Sequence, residues 1–559
     1  MDRHFATVGT RQIHYRRSGH GPPVVLLHAS PLSSASLIPV AAALDDRFTV
    51  IAPDTPGYGL SDPLDGPPAT LHDYLPTFAA LLDALGLRRV ALYGTATGAQ
   101  IAMEFAKAYP DRIAHLVLDN CAHFEDAWRD AVLPRYFPDL TARDDAGHLA
   151  TLWTMVRDLF TFFPWCERSA DARLTRPMPP AEVLQAMAVD FLRAGPDYHL
   201  AYRLAFHNER AANVQALTVP TTLLDWQGSL LAPFTRALID QGLPDTVTVQ
   251  PAGPTMDDRL AALRDALDGA GLPAEAAGPP TPMAPAGRLH GGFLCVDGGQ
   301  LHARLCLEGA GRPLLVLHDP AGSAALTAPI ADGFRSRRPV AALDLPGNGE
   351  SDAVLAEDDI SPHGYAEVVA QALDALGWDE VDVVGRYSGG LVGLELAARR
   401  PDAVKHLVIA GAADISGDEA DRLCAHYTPS VAPRLDGTHL IAAWHMMRDQ
   451  ALWWPWFDRR ADAVVPGPPR IAPNLIHTRV TELMKCGDRY RAAYATAFRY
   501  PLADRLAHAA VPTVIGVPGW DAVLDDATRL AGLSPNADSA PLPNDFGQWA
   551  AALSGFLDR

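Results

Sequence analysis

The sequence predicts an α/β protein of two tandem units, each a mostly parallel sheet flanked by helices and carrying an inserted helical cap. Three observations lead there. Short apolar runs alternate with helical spacing through both halves of the 559 residues, the pattern of parallel strands joined by right-handed crossovers. The first half recurs in the second at a spacing of about 290 residues. Between them lies 269–292, rich in Pro and Gly and including Gly278-Pro279-Pro280-Thr281-Pro282, which reads as a semi-extended linker because prolines at that density sustain neither a helix nor an internal strand. The units are therefore expected at 1–268 and 293–559, with caps at about 123–215 and about 414–507.

In the first unit, 24–27 and 49–52 are apolar runs suited to strands buried on both faces. A helix is expected over 73–85, a strand over 90–93, a helix over 98–108, and further strands over 116–118 and 221–224. The repeat fixes their counterparts. Val24-Val25-Leu26-Leu27-His28 returns as Leu314-Leu315-Val316-Leu317-His318. The loop Asp54-Thr55-Pro56-Gly57-Tyr58-Gly59-Leu60-Ser61-Asp62 returns as Asp344-Leu345-Pro346-Gly347-Asn348-Gly349-Glu350-Ser351-Asp352. In the caps, His148, Trp153, Arg157 and Asp158 return as His439, Trp444, Arg448 and Asp449.

Composition narrows the function classes. A net charge of -20 argues against a nucleic-acid backbone or an anionic membrane as the main partner. No apolar run of about 18 residues suggests a spanning helix, and the N-terminus lacks the pattern of a signal peptide. Six cysteines without C-x-x-C spacing fit a cytoplasmic protein with reduced thiols. No cofactor is expected. H-E-x-x-H spacing for a metal and G-x-G-x-x-G after a strand for a dinucleotide are both missing. The expected partner is a small-molecule substrate or ligand, and the two domains are expected to pack on each other.

Two stretches have the form of a sharp strand-to-helix turn that exposes one side chain: Leu92-Tyr93-Gly94-Thr95-Ala96-Thr97-Gly98 and Val383-Val384-Gly385-Arg386-Tyr387-Ser388-Gly389-Gly390. Glycines flank the apex, where the backbones approach closely. With the His28-Ala29-Ser30-Pro31 and His318-Asp319-Pro320 turns and the two D-x-P-G-x-G-x-S-D loops, these elbows make both halves resemble the α/β-hydrolase superfamily. That resemblance implies a small organic substrate held between sheet and cap, and a nucleophile, an acid and a histidine in that chain order.

Carried over by position, the triads are altered. The first unit has Ala96 at the apex, Ser229 in the acid place and Pro254 in the histidine place, so acyl-enzyme chemistry has no nucleophile there. The second has Tyr387 at the apex, Ser388 one place late, Asp521 in the acid place and Asn544 where the histidine belongs. A phenol of pKa about 10 is a poor nucleophile without a base or cation to help it.

Residues kept in both copies supply the remaining candidates. His148 and His439, Trp153 and Trp444, Arg157 and Arg448, and the cap tyrosines Tyr490 and Tyr494 make an amphipathic set that can clamp an aromatic or carboxylate ligand. His318 and Asp319 stand at the oxyanion turn. Tyr387, Asp521, His439 and Ser388 are the catalytic candidates; the others are candidate substrate contacts. The expected function is an enzyme acting on a small organic molecule, such as an acid or aromatic lactone, by a non-serine acid/base mechanism in the second unit. The alternative is a pair of pseudoenzymes that bind a ligand or serve as a scaffold.

Overall fold

Runs of Val, Ile and Leu with no polar face are stable as strands only where both faces of a sheet are covered. The computed structural model describes residues 1–268, 270–272, 283–520 and 524–559, and Asp521 and part of the expected linker, 269 and 273–282, lie outside them. It divides into two units, Met1–Thr141 with His148–Ala284, and Pro285–Arg559 with Ala142–Gly147.

In the first unit the strands are β1 (Asp2–Val8), β2 (Arg11–Ser18), β3 (Pro23–Leu27), β4 (Thr49–Pro53), β5 (Val90–Thr95), β6 (Ile113–Asp119), β7 (Thr221–Trp226) and β8 (Val247–Ala252). They form one sheet in the order β1-β2-β4-β3-β5-β6-β7-β8. The hairpin β1–β2 and the pairing of β2 with β4 are antiparallel, and the remaining pairs are parallel. The second unit repeats this with β9 (His290–Val296), β10 (Gly299–Cys306), β11 (Leu314–Leu317), β12 (Val340–Leu343), β13 (Val381–Arg386), β14 (Val404–Ala410), β15 (Thr513–Pro518) and β16 (Ala537–Leu542), in the same topological order. Strand β9 begins at His290, within the segment read from sequence as linker.

Side chains alternate between the faces. On β5, Val90 and Leu92 join one apolar cluster while Ala91 and Tyr93 join the other, as a period of two requires. On β13, Val381 and Val383 face one side and Val384 the other. Burial on both faces is why these strands read as continuous apolar runs.

Between β6 and β7, and again between β14 and β15, the chain leaves the sheet for a helical insertion. Its longest helices are Gly147–Asp158 and Ala181–Ala194 in the first unit, and Thr438–Asp449 and Pro473–Cys486 in the second. No helix among the described residues is long and apolar enough to cross a membrane.

Candidate active site

The second unit's site is built from the turn outward. Strand β13 ends at Arg386 and a helix starts at Ser388, leaving Tyr387 alone to reverse the chain with φ 43° and ψ -116°. A non-glycine residue held there is strained by about 1–3 kcal/mol, and the surrounding backbone has to hold it. It does so by close contact: a Cβ on Gly389 would stand 2.6 Å from the carbonyl oxygens of Leu317 and His318. The helix therefore rests directly on the end of β11, and its first N–H groups, which lack intrahelical acceptors, face the apex.

Above the turn lies a cavity of about 270 Å³. Arg386, Tyr387 and Ser388 form its floor, Asp319 and Pro320 one side, and the inserted helices its roof through Gln450, Arg479 and Tyr494. The Ser388 hydroxyl has no hydrogen-bond partner among the described residues. Pro320, which carries no N–H, cannot add a second backbone donor from this loop. A cavity of about 10 Å³, on the order of one water, adjoins Ser388 and Asn348 behind the floor.

Charge in the large cavity is one-sided. Arg386 lies 3.3 Å from Asp319 and over the rings of Tyr387 and Phe546 at 5.7 and 4.9 Å. Arg479 donates to the Met447 carbonyl at 2.9 Å and to Gln450 Oε1 at 2.6 Å, both neutral acceptors. Arg470 stands over Trp520 at 4.3 Å and Phe546 at 5.2 Å. Burial, and then the Arg386 and Arg479 charges, pull its pKa down. Burial likewise pushes the Tyr427 and Tyr494 phenols well above their ordinary value, so both stay protonated.

The model described as the alpha/beta hydrolase fold matches residues 22–163 and 312–441. The chain is a tandem pair of α/β-hydrolase units. A cis-3-alkyl-4-alkyloxetan-2-one decarboxylase of Shewanella oneidensis is 37% identical over 125 residues, 22% of this chain and 39% of that protein. Haloalkane dehalogenase 2 of Mycobacterium tuberculosis is 36% identical over 109 residues, 20% of this chain and 38% of that one. The chain thus spans about two fifths of the length of these curated relatives. Among solved structures, epoxide hydrolase A of Mycobacterium thermoresistibile aligns over 49% of this chain and 99% of its own at 20% identity, with a TM-score of 0.40.

Of the residues expected from sequence, Tyr387, Ser388, Asp319 and Tyr494 meet at the cavity of the second α/β-hydrolase unit. Asp521 lies outside the described residues. His318, fully buried, braces the turn: its Nδ1–H donates to the Asp319 carbonyl and its Nε2 accepts from the Leu345 N–H at 2.9 Å. His28 does the same with Ala29 and Thr55. Both ring nitrogens are thereby occupied in a neutral imidazole.

Apart from Tyr494, the candidate residues kept in both copies lie outside the cavity lining. His439 is 3% exposed, and its Nδ1 accepts from the Arg434 N–H at 3.2 Å; His148 is equally buried. Trp444 and Trp153 are core residues. Arg448 lies 3.1 Å from Asp449, and Arg157 lies 3.8 Å from Asp158. The Tyr490 hydroxyl donates to the Pro429 carbonyl, as Tyr198 does to Pro138.

Burial lowers the His439 pKa to about 4, and this gives a pH prediction. Below pH about 6.5 the unfolded chain takes up a proton that folded His439 refuses. Stability carried by the neutral ring is complete above pH 6.5 and is lost as pH falls toward 4. Urea midpoints of a His439→Gln variant should fall less steeply over that range than those of the parent; equal slopes would refute the assignment.

The first unit's elbow has the same shape, with Ala96 at φ 49° and ψ -116°, and it is surrounded by paired polar groups and packed rings. Asn120 donates to Thr95 Oγ1 at 2.9 Å and accepts from the Ser229 hydroxyl. Arg259 binds the buried Asp119 carboxylate at 2.6 Å and the Tyr93 hydroxyl at 2.8 Å. Beside them Phe124 packs on Trp128 and Phe234 with ring centroids 4.7 and 5.1 Å apart, and Phe163 on Phe234 at 5.6 Å. At the position of Phe124 the second unit has Ile415, a cavity wall.

Sequence reasoning missed Arg386, Arg470 and Arg479. Arg386 left a signal: a charged residue at the end of a buried strand, where the first copy has Thr95. Arg479 stands where the first copy has Met187 in a helix of equal length.

Proposed function

We propose that the second unit is an enzyme acting on a small organic molecule in the 270 Å³ cavity, without an acyl-serine intermediate, and that the first is a catalytically silent support. What carries this reading is Tyr387: a polar side chain held in a strained conformation at the apex of an otherwise intact elbow, on the floor of a cavity roofed by the inserted cap. Strain of that kind persists where the fold over-determines it.

In this reading the Tyr387 hydroxyl is the proton-transfer group, with the Arg386 guanidinium beside its ring favouring the phenolate as it forms. The Ser388 N–H at the helix start is the donor aimed at a developing oxyanion. Asp521, in the acid place by sequence, is the candidate base. His439 is assigned to bracing the cap, since its ring is engaged with backbone away from the cavity. For the first unit the silent reading rests on Ala96 and on the ring cluster of Phe124, Trp128, Phe163 and Phe234.

A screen of esters, lactones and C–C cleavage substrates tests this. The parent should turn over at least one, and Tyr387→Phe should reduce that turnover by about 100-fold or more with the melting temperature unchanged. Full activity in Tyr387→Phe would sink the assignment; no turnover of any substrate by the parent would favour a binding protein.

A further inference from the structure

The large cavity of the second unit holds three guanidinium groups, Arg386, Arg470 and Arg479, against one carboxylate, Asp319, among its described lining residues. Asp319 is taken by Arg386 at 3.3 Å. Arg479 is held by a carbonyl and an amide oxygen, which fix its direction, with no carboxylate in ion-pair reach among the described residues. Arg470 contacts ring faces, with no carboxylate in ion-pair reach among the described residues. Partly buried cations without counter-charges destabilise a fold, and a bound anion removes that penalty.

The geometry selects among anions. A guanidinium fork matches the two oxygens of a carboxylate, and Arg retains its charge where Lys would lose it. The other walls are aromatic: Tyr427 lies 5.4 Å from Trp454 and 5.3 Å from Phe498, and Tyr494 lies 5.5 Å from Phe498. At about 270 Å³ the cavity is at the lower end of small-molecule pockets, which start near ~300 Å³, so the ligand has one or two rings. Two of the three guanidinium groups and the carboxylate have no charged counterpart in the first unit. The first copy has Thr95, Met187 and Ala29 where the second has Arg386, Arg479 and Asp319, and Phe124, at the position of the cavity wall Ile415, packs on Trp128 and Phe234.

We propose that the second-unit cavity binds an aromatic carboxylate, whose anionic group is neutralised by Arg470 and Arg479 and whose ring packs against Trp454, Phe498 and Tyr387. This rests on the reading of that cavity as the working site and names the class of molecule it takes. The anion supplies the counter-charge that the described lining residues do not, and the rings supply the apolar contact that a free inorganic anion would not use.

The test is calorimetric titration of the full chain with benzoate and 1-naphthoate, against benzamide and 1-naphthamide as neutral isosteres. The carboxylates should bind at least about tenfold tighter than the amides. Arg470→Gln and Arg479→Gln should each weaken naphthoate by about tenfold, and Arg470→Lys by less. Arg400→Gln, whose guanidinium pairs with Asp374 on the surface, should match the parent. Equal affinity for acid and amide, parental affinity in both glutamine variants, or no carboxylate binding at millimolar concentration would each overturn the proposal. Carboxylate binding by a protein that turns over nothing would remove the catalytic reading and leave this one standing. Turnover of neutral substrates with no carboxylate binding would do the reverse.

Discussion

Replacing Gly385 by alanine destabilises the second unit by about 3 kcal/mol or more. A Cβ there would stand 2.4 Å from the carbonyl carbon and oxygen of Gly389 and from the amide nitrogen of Gly390. All three are backbone atoms, so no side chain can rotate away. The helix that carries them is itself pressed on β11, with Gly389 facing the Leu317 and His318 carbonyls. Relief therefore requires moving helix and strand apart, which opens the elbow and the cavity floor together. Gly555→Ala is the control: it lies inside the helix Trp549–Leu557 with nothing within 4 Å of the new Cβ, and should be neutral or stabilising by up to about 1 kcal/mol. Urea denaturation of both variants decides the matter. A Gly385→Ala midpoint equal to that of the parent would show that the turn tolerates a side chain.

The elbow illustrates what could be read from the sequence. Glycine spacing, the apolar strand before it and the helical spacing after it are all local, so both elbows and the central parallel strands were legible, as was the repeat. The antiparallel hairpin at the start of each sheet was not marked in the same way, because its strands mix polar and apolar residues and form no continuous apolar run. The cavity was hidden for another reason. Comparing two copies selects residues that both folds need, and apart from Tyr494 those are packing residues: Trp153 and Trp444, His148 and His439, Arg157 and Arg448 with their aspartates. A site present in one copy is made where the copies differ, at Arg386 for Thr95 and Ile415 for Phe124. Arg470 comes from an irregular stretch after Pro468 and Pro469, where no periodicity marks which side chains face inward.

One pair of carboxylates shows the opposite case, sequence identity that reports structural need. Asp344, 1% exposed, accepts from His302 Nδ1 at 2.8 Å and from the Ala324 and Glu350 N–H groups at 2.5 and 2.9 Å. Asp54 accepts from His14 at 2.8 Å and from the Ser34 and Leu60 N–H groups at 2.6 and 2.8 Å. Burial alone would oppose the Asp344 charge, but His302 and the surrounding donors outweigh it and hold its pKa below 3.8. Asp344→Ala strips the acceptor from two buried donors and a half-buried one at once and should remove about 3–5 kcal/mol. Because the folded pKa lies below the unfolded one, the charged carboxylate's contribution is complete above pH about 4 and is lost as pH falls through the folded value. The parent's urea midpoint should therefore drop between pH 5 and pH 3 more steeply than that of Asp344→Ala. A loss under about 1 kcal/mol in the variant at pH 7, or parallel pH curves, would mean that the loop is held by its glycine turns and not by this buried charge.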